Sequence, residues 1–125
     1  MPHILVVEDD PMNRDMLTRR LTWEGYKVTT AANGTQAVEI ACNILPDLIL
    51  MDVGIPGLNG WQATRAIKAD PAASQIPVII LTAYALQDER RTSLEAGCDD
   101  YETKPINFTQ LLNKMQHYLK RAVNS

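Results

Sequence analysis

The sequence is poor in the features that mark a disulfide-rich, membrane-spanning or nucleic-acid-binding protein. Its 125 residues include two cysteines, Cys42 and Cys98, which lie far apart and form no zinc or redox motif. No apolar run approaches the roughly 20 residues that cross a bilayer, and the N-terminus lacks a signal-peptide pattern. The net charge of -3 favours neither nucleic acid nor an anionic membrane as a partner. We therefore expect a cytoplasmic protein with free thiols.

The residues that are present describe an ordinary globular chain. Hydrophobic residues make up 46% of the sequence and charged residues 22%, which is enough apolar material for a core and too little charge for disorder. The length fits one domain, which we place over residues 1–125.

Short apolar runs alternate with amphipathic segments along the whole chain. Three of the runs, residues 4–7, 48–51 and 78–81, are nearly continuous aliphatic stretches, as in strands that are covered on both faces. The predicted strands are residues 3–7, 27–31, 48–51, 78–82 and 100–103.

Helix boundaries are marked by caps and breakers. Asp10 followed by Pro11 predicts a helix start, and Gly25 its end. Asn33 opens a second helix, which stops before Pro46. The third helix is predicted to cover residues 61–69 and the fourth residues 86–96, and the fifth begins near residue 108. The side chains expected to face the core are Met16, Leu17, Leu21, Ala37, Val38, Ala41, Ile44, Leu86, Leu94, Phe108, Leu111, Leu112, Met115 and Leu119.

Five strand–helix units predict an α/β fold, a doubly wound parallel sheet with helices on both faces. Right-handed crossovers leave few strand orders, of which 2-1-3-4-5 is common. In that order the first and third strands are neighbours, and ligands are expected at the carboxyl ends of the strands.

Acidic, hydroxyl and basic side chains stand at the carboxyl ends of four of the five predicted strands. Glu8 and Asp9 come after the first strand, Asp52 after the third, Thr82 ends the fourth, and Lys104 follows the fifth. Since these ends share one edge of a parallel sheet, the carboxylates should meet one hydroxyl and one ammonium. Each of these residues alone has an ordinary structural explanation, so the prediction depends on their joint placement.

Clustered carboxylates repel one another unless they are protonated or bind a cation. Oxygen ligands suit Mg²⁺, which commonly joins one or two carboxylates to a phosphate. A carboxylate can also act as a nucleophile towards phosphorus and form an aspartyl phosphate. The sequence therefore predicts a magnesium-dependent phosphoacceptor site.

Several segments together resemble the receiver domains of response regulators, in order and over essentially the whole chain. The resemblance implies a flavodoxin-like (βα)5 fold. The segments that carry it are Ile4-Leu-Val-Val-Glu-Asp-Asp-Pro, Asp47-Leu-Ile-Leu-Met-Asp52, Ile55-Pro56 with Gly60, Val78-Ile-Ile-Leu-Thr-Ala83, Ala96-Gly97 and Tyr101-Glu-Thr-Lys104-Pro105.

The resemblance implies that Asp52 accepts a phosphoryl group from a histidine kinase or a histidine-phosphotransfer protein. It implies Mg²⁺, with Mn²⁺ able to substitute, bound by Asp9, by Asp52, by the backbone carbonyl of Gly54 and by Glu8 through water. Such a protein is a stand-alone regulator that assists its own phosphorylation and dephosphorylation and is not an enzyme in the usual sense.

Three further roles follow from the resemblance. Thr82 and Lys104 match the groups that contact the phosphoryl oxygens, and Tyr101 matches an aromatic switch that turns inward when the threonine moves. A downstream protein is expected on the face made by the fourth helix, fifth strand and fifth helix. The bond between Lys104 and Pro105 is expected to be cis.

Two positions depart from the family pattern in ways that bear on the lifetime of the phosphorylated state. Gly54 stands two residues after the phosphoacceptor, where many relatives have a larger or polar side chain. Tyr84 stands two residues after the threonine. Ile55, where methionine is frequent, conserves volume and should matter little.

Four other functions were considered. A phosphohydrolase with Asp52 as covalent nucleophile is the main alternative, but such enzymes place a second aspartate where Gly54 stands. A flavin carrier would need a first loop that attracts phosphate, and the acids there repel it. A DNA-binding regulator is disfavoured because no basic patch or helix-turn-helix follows the fifth helix. A pseudo-receiver would lack part of the set of acids, threonine and lysine, which is complete here.

Overall fold

The computed structural model describes residues 1–83 and 87–124, with the side chains of all of these except 87–89 and 121–124. Strands and helices alternate as the sequence pattern predicts. The elements are β1 (His3–Val7), α1 (Pro11–Trp23), β2 (Lys27–Ala31), α2 (Gly34–Ile44), β3 (Leu48–Asp52), α3 (Gly60–Ala69), β4 (Val78–Thr82), α4 (Gln87–Glu95), β5 (Asp100–Thr103) and α5 (Phe108–Asn124).

The sheet has the order β2-β1-β3-β4-β5, and every strand pair is parallel. The predicted fold class and strand order are therefore confirmed. All carboxyl ends lie at one edge, and the register pairs Val7 with Met51 and Asp52 with Leu81. Thus the residue after β1 and the last residue of β3 become neighbours.

The two faces of the sheet bury separate apolar clusters, because alternate residues of a strand point to opposite sides. On one face Leu5 and Val7 pack with residues of α2 and α3, in a cluster that we call the α2–α3 core. On the other face Ile4 and Val6 pack with residues of α1 and α5, which form the α1–α5 core. Because both faces of the sheet are covered, we expect functional side chains at its carboxyl edge.

The capping signals read from the sequence are confirmed. Asp10 caps α1 by accepting a hydrogen bond from the backbone of Met12, and Asn33 caps α2 in the same way through Gln36. Gly25, just after α1, has a φ of 95°, a left-handed conformation that favours glycine. The bond between Lys104 and Pro105 is cis, as expected.

Three side chains that the sequence pattern places in the core are instead substantially exposed: Met16 by 50%, Ile44 by 43% and Leu94 by 59%. Met16 and Leu94 each stand next to a buried residue, Leu17 and Ser93, and one residue along a helix turns the side chain by about 100°. Ile44 is the last residue of α2, beyond the turns that cover the sheet.

The core prediction for Leu86 falls outside the described residues. No helix within residues 1–83 and 87–124 has the length and apolar character needed to cross a bilayer.

Candidate functional site

Three acidic side chains meet where β1 and β3 end. Glu8 continues β1 by donating its backbone N–H to Ala31 O at 3.0 Å, and Asp9 follows it. Asp52 is the last residue of the neighbouring strand β3. One carboxylate oxygen from each of the three acids lies within 4.8 Å of the others, so the group can hold a metal ion.

The three acids differ in their exposure to solvent. Glu8 is 2% exposed and Asp52 7% exposed, whereas Asp9 is open to solvent. Two buried carboxylates and one accessible carboxylate form a site that a small cation can reach from the Asp9 side.

Lys104 joins the two buried acids from the loop that follows β5. Its Nζ lies 3.2 Å from Asp52 Oδ2 and 3.4 Å from Glu8 Oε1. Burial by itself would lower the pKa of Lys104, but the negative charges of Asp52 and Glu8 outweigh it and raise the pKa above its ordinary value. The lysine is therefore held as a cation at the site.

One ammonium does not balance the acids. Burial, followed by the neighbouring Asp52 carboxylate, raises the pKa of Glu8 to about 7. Glu8 Oε2 is buried and has no hydrogen-bond partner among the described residues. An unsatisfied buried oxygen beside two further carboxylates fits a hard divalent cation, which prefers oxygen ligands.

Gly54 lies beside this group, two residues beyond Asp52. Its backbone N–H donates a long hydrogen bond to Asp52 Oδ1 at 3.4 Å. A Cβ atom built on Gly54 would meet nothing within 4 Å. The space at this position, two residues after Asp52, is therefore open to a Cβ atom.

Thr82 and Tyr101 lie on the two strands beyond β3. Thr82 ends β4 and is 4% exposed, one position past the residue that pairs with Asp52. Tyr101 on β5 is partly buried against the α2–α3 core. The guanidinium of Arg90 lies 5.2 Å from the centroid of the Tyr101 ring, and Lys114 Nζ lies 5.7 Å from it.

Some contacts around the site have no signal in the sequence. Arg14 of α1 donates a hydrogen bond from Nη1 to the backbone oxygen of Glu8 at 3.0 Å, which helps to fix the position of Glu8. Lys114 of α5 pairs with Glu102 at 2.8 Å and donates to the backbone oxygen of Tyr101 at 2.7 Å. These partners are six or more residues apart, so only the packing of the elements reveals them.

Known proteins are similar to this chain in both sequence and architecture. The family model of the response regulator receiver domain matches residues 4–116. Protein PilH of Pseudomonas aeruginosa is 40% identical over 119 residues, covering 95% of this chain and 98% of PilH. Response regulator PleD of Caulobacter vibrioides is 41% identical over 113 residues, but the chain spans only 25% of its length.

Solved structures agree with the sequence matches. The receiver domain of sensor histidine kinase PA1611 from Pseudomonas aeruginosa, crystallised with a magnesium ion coordinated in its active site cleft, is 41% identical, with a TM-score of 0.89 over 95% of this chain and 98% of that one. Chemotaxis protein CheY4 of Vibrio cholerae is 28% identical, with a TM-score of 0.88 over 94% of this chain and 98% of that one.

The chain belongs to the response regulator receiver domain family. Receiver domains are signalling domains rather than classical enzymes, and they interact with histidine kinases or phosphotransfer proteins. The predicted family is thus confirmed.

Proposed function

We propose that this chain is a phosphorylation-controlled signalling switch in which Asp52 accepts a phosphoryl group from a histidine kinase or a histidine-phosphotransfer protein. The observation that carries the proposal is the position of the Asp52 carboxylate. It is nearly buried at the carboxyl edge of the sheet, 3.2 Å from the Lys104 ammonium, and shares a possible cation site with Glu8 and Asp9.

In the proposed phosphoryl transfer one oxygen–phosphorus bond forms and one phosphorus–nitrogen bond breaks. An oxygen of the ionised Asp52 carboxylate attacks phosphorus, and the phosphorus–nitrogen bond to the donor histidine breaks with its electron pair going to the imidazole. Charge on the phosphoryl oxygens must be neutralised in the transition state. Lys104 supplies one positive charge, and Thr82 supplies a hydroxyl for a hydrogen bond.

A divalent cation would supply the remaining positive charge when it is bound. We propose Mg²⁺, for which Mn²⁺ can substitute, with Asp9 and Asp52 as direct ligands. Glu8 would hold it through water, and the Gly54 backbone carbonyl would complete the protein ligands. The oxygen-only donor set and the unsatisfied Glu8 Oε2 support this choice.

The output is proposed to pass through Thr82 and Tyr101 to a downstream protein on the face of α4, β5 and α5. Phosphorylation would draw Thr82 towards Asp52 and vacate space that the Tyr101 ring can enter. The proposed receiver domain covers residues 1–125, because α5 continues to Asn124, beyond the matched segment. Action as a stand-alone regulator and a cytoplasmic location stay predictions.

Phosphorylation by a small acyl phosphate tests the proposal directly. With Mg²⁺ or Mn²⁺ present, intact-mass analysis should show one added phosphoryl group on the wild type and none on Asp52→Asn. Asp15→Asn is a matched control, because Asp15 is an exposed aspartate on α1 that pairs with Arg19. Labelling of Asp52→Asn equal to that of the wild type, or labelling in excess chelator, would contradict the proposal.

A further inference from the structure

The side chains of helix α4 that the structure describes bury little apolar surface. Among its side chains that the structure describes, in residues 90–95, the buried one is Ser93, which is 1% exposed. Leu94 beside it is 59% exposed. A serine contributes little to stability through apolar burial. The contacts of the Ser93 hydroxyl therefore bear on the position of α4.

That hydroxyl accepts a hydrogen bond from α3. The indole Nε1–H of Trp61 donates to Ser93 Oγ at 2.9 Å, across 32 positions of sequence. The Trp61 ring itself packs against the α2–α3 core. The indole N–H of a buried tryptophan usually donates a hydrogen bond, and here its acceptor is Ser93 of α4.

The start of α3 is in turn fixed against the phosphoacceptor strand. Gly60 donates its N–H to Val53 O at 3.0 Å, and a Cβ atom at Gly60 would collide with the backbone oxygen of Asp52. A capping box between Asn59 and Gln62 fixes the first turn of the helix. Trp61 therefore projects from a helix start that touches the Asp52 backbone.

We propose that the Trp61–Ser93 hydrogen bond sets the resting position of α4 relative to the phosphoacceptor strand, and that α4 shifts after phosphorylation only as this bond breaks. This coupling runs from Asp52 through the start of α3. It reaches α4 from the side of α3, whereas the proposed route through Thr82 and Tyr101 reaches it from β5. Only the phosphorylated arm of the test below rests on the proposed function.

The resting protein is tested by amide hydrogen exchange of the full chain without phosphate donor. Ser93→Ala removes the acceptor, and Trp61→Phe removes the donor while keeping an aromatic ring. Each should speed exchange in residues 90–95 by about two- to tenfold, the range that one net hydrogen bond provides. Alanine favours helix more than serine does, so faster exchange in Ser93→Ala cannot come from helix propensity.

The double variant and a control sharpen this result. Because both substitutions remove the same bond, the double variant should exchange no faster than the faster single variant. Leu94→Ala changes an exposed side chain of the same helix and should leave exchange near the wild-type rate. Wild-type exchange in Ser93→Ala and Trp61→Phe, or effects that multiply in the double variant, would overturn the proposal.

Tryptophan emission provides a second readout. Trp23 is 86% exposed on α1, so Trp23→Phe leaves Trp61 as the reporter. Adding Ser93→Ala to Trp23→Phe should shift the emission, whereas adding it to Trp61→Phe should not. Equal responses in the two backgrounds would contradict a local link between Trp61 and Ser93.

The phosphorylated arm uses acetyl phosphate and Mg²⁺, with the added phosphoryl group verified by mass. Exchange in residues 90–95 should rise in the wild type and rise by a smaller factor in Ser93→Ala, where the bond is already absent. An equal rise in both proteins would overturn the coupling. If no phosphoryl group is added, the proposed function fails, and the resting-state comparison alone decides this inference.

Discussion

Lys104 and Asp9 contribute to the same site in different ways. Lys104 contacts the Asp52 and Glu8 carboxylates directly, and its side chain is 28% exposed. Asp9 is exposed and extends the group of carboxylates that can hold a cation. A lysine neutralises charge but offers no metal ligand. The two residues should therefore be separable by metal binding.

We expect Asp9→Ala to weaken Mg²⁺ binding by about tenfold or more, because a carboxylate ligand is lost. Lys104→Ala should keep the Mg²⁺ affinity at or above that of the wild type, since it removes a neighbouring positive charge. It should nevertheless slow phosphorylation, because the phosphoryl oxygens lose a cation. Metal titration followed by tryptophan or tyrosine fluorescence checks the first two statements. Similar losses of affinity in both variants would contradict these roles.

The lifetime of the phosphorylated state is a second question at the scale of single residues. Hydrolysis needs a water in line with the scissile bond, and the open space around Gly54 provides no side chain to position it. We expect the large ring of Tyr84, two residues after Thr82, to shield the phosphoryl group; this residue lies outside the described part of the chain.

We expect Gly54→Asn/Tyr84→Glu to lose its phosphoryl group several-fold faster than the wild type. A Cβ atom at Gly54 would meet nothing within 4 Å, so the backbone position accepts a side chain at its first carbon. Decay is followed by intact mass after the phosphate donor is removed, with each single variant as a control. If the double variant decays no faster, the side chains at these two positions do not set the lifetime.

Among the elements, β5 belongs to the face on which a partner is proposed to bind, and Lys104 of the site follows it directly. The cationic groups of Arg90 on α4 and Lys114 on α5 both lie within 6 Å of the centroid of the Tyr101 ring of β5. Lys114 also pairs with Glu102 of the same strand. Movement of this ring would therefore change contacts on both flanking helices.

Phosphorylation of Asp52 should change amide exchange across residues 84–108, because Thr82 and Tyr101 are proposed to move together. The local stability of α4 is expected to be low, since Leu94 is exposed and provides no apolar anchor. Exchange measured with and without acetyl phosphate checks this, and Asp52→Asn is the control. Changes confined to the loop after Asp52 would refute a relay through β5.

For the molecule as a whole, the site lowers stability as long as no cation is bound. Three carboxylates face one ammonium, and two of the acids are buried. A cation that binds only the folded state stabilises it by mass action, by about 1.4 kcal/mol at ten times its Kd.

We expect Mg²⁺ at that concentration to raise the Tm by roughly 3–8 °C in a domain of this size. The same Mg²⁺ concentration should raise the Tm of Asp9→Ala by clearly less, while Asp15→Asn should respond like the wild type. Thermal unfolding followed by circular dichroism, with chelator as the reference, measures these shifts. An equal Mg²⁺ response in wild type and Asp9→Ala would argue against a metal site here.

The sequence by itself determined the secondary structure and the residues that stand at the strand ends, and it limited the strand order to a few possibilities. These follow from local rules: aliphatic runs with strand length, caps such as Asp10 and Asn33, and right-handed crossovers. Because parallel strands end at one edge, even the meeting of Glu8, Asp9 and Asp52 could be anticipated.

Only the tertiary structure decided which side chains of a helix are covered and which distant residues pair. Met16 and Leu94 are exposed, whereas the packing buries their neighbours Leu17 and Ser93. The bond between Trp61 and Ser93 joins two helices whose spacing no local pattern encodes. Periodicity limits a side chain to one face of its helix, but the neighbouring elements determine how much of that face is buried.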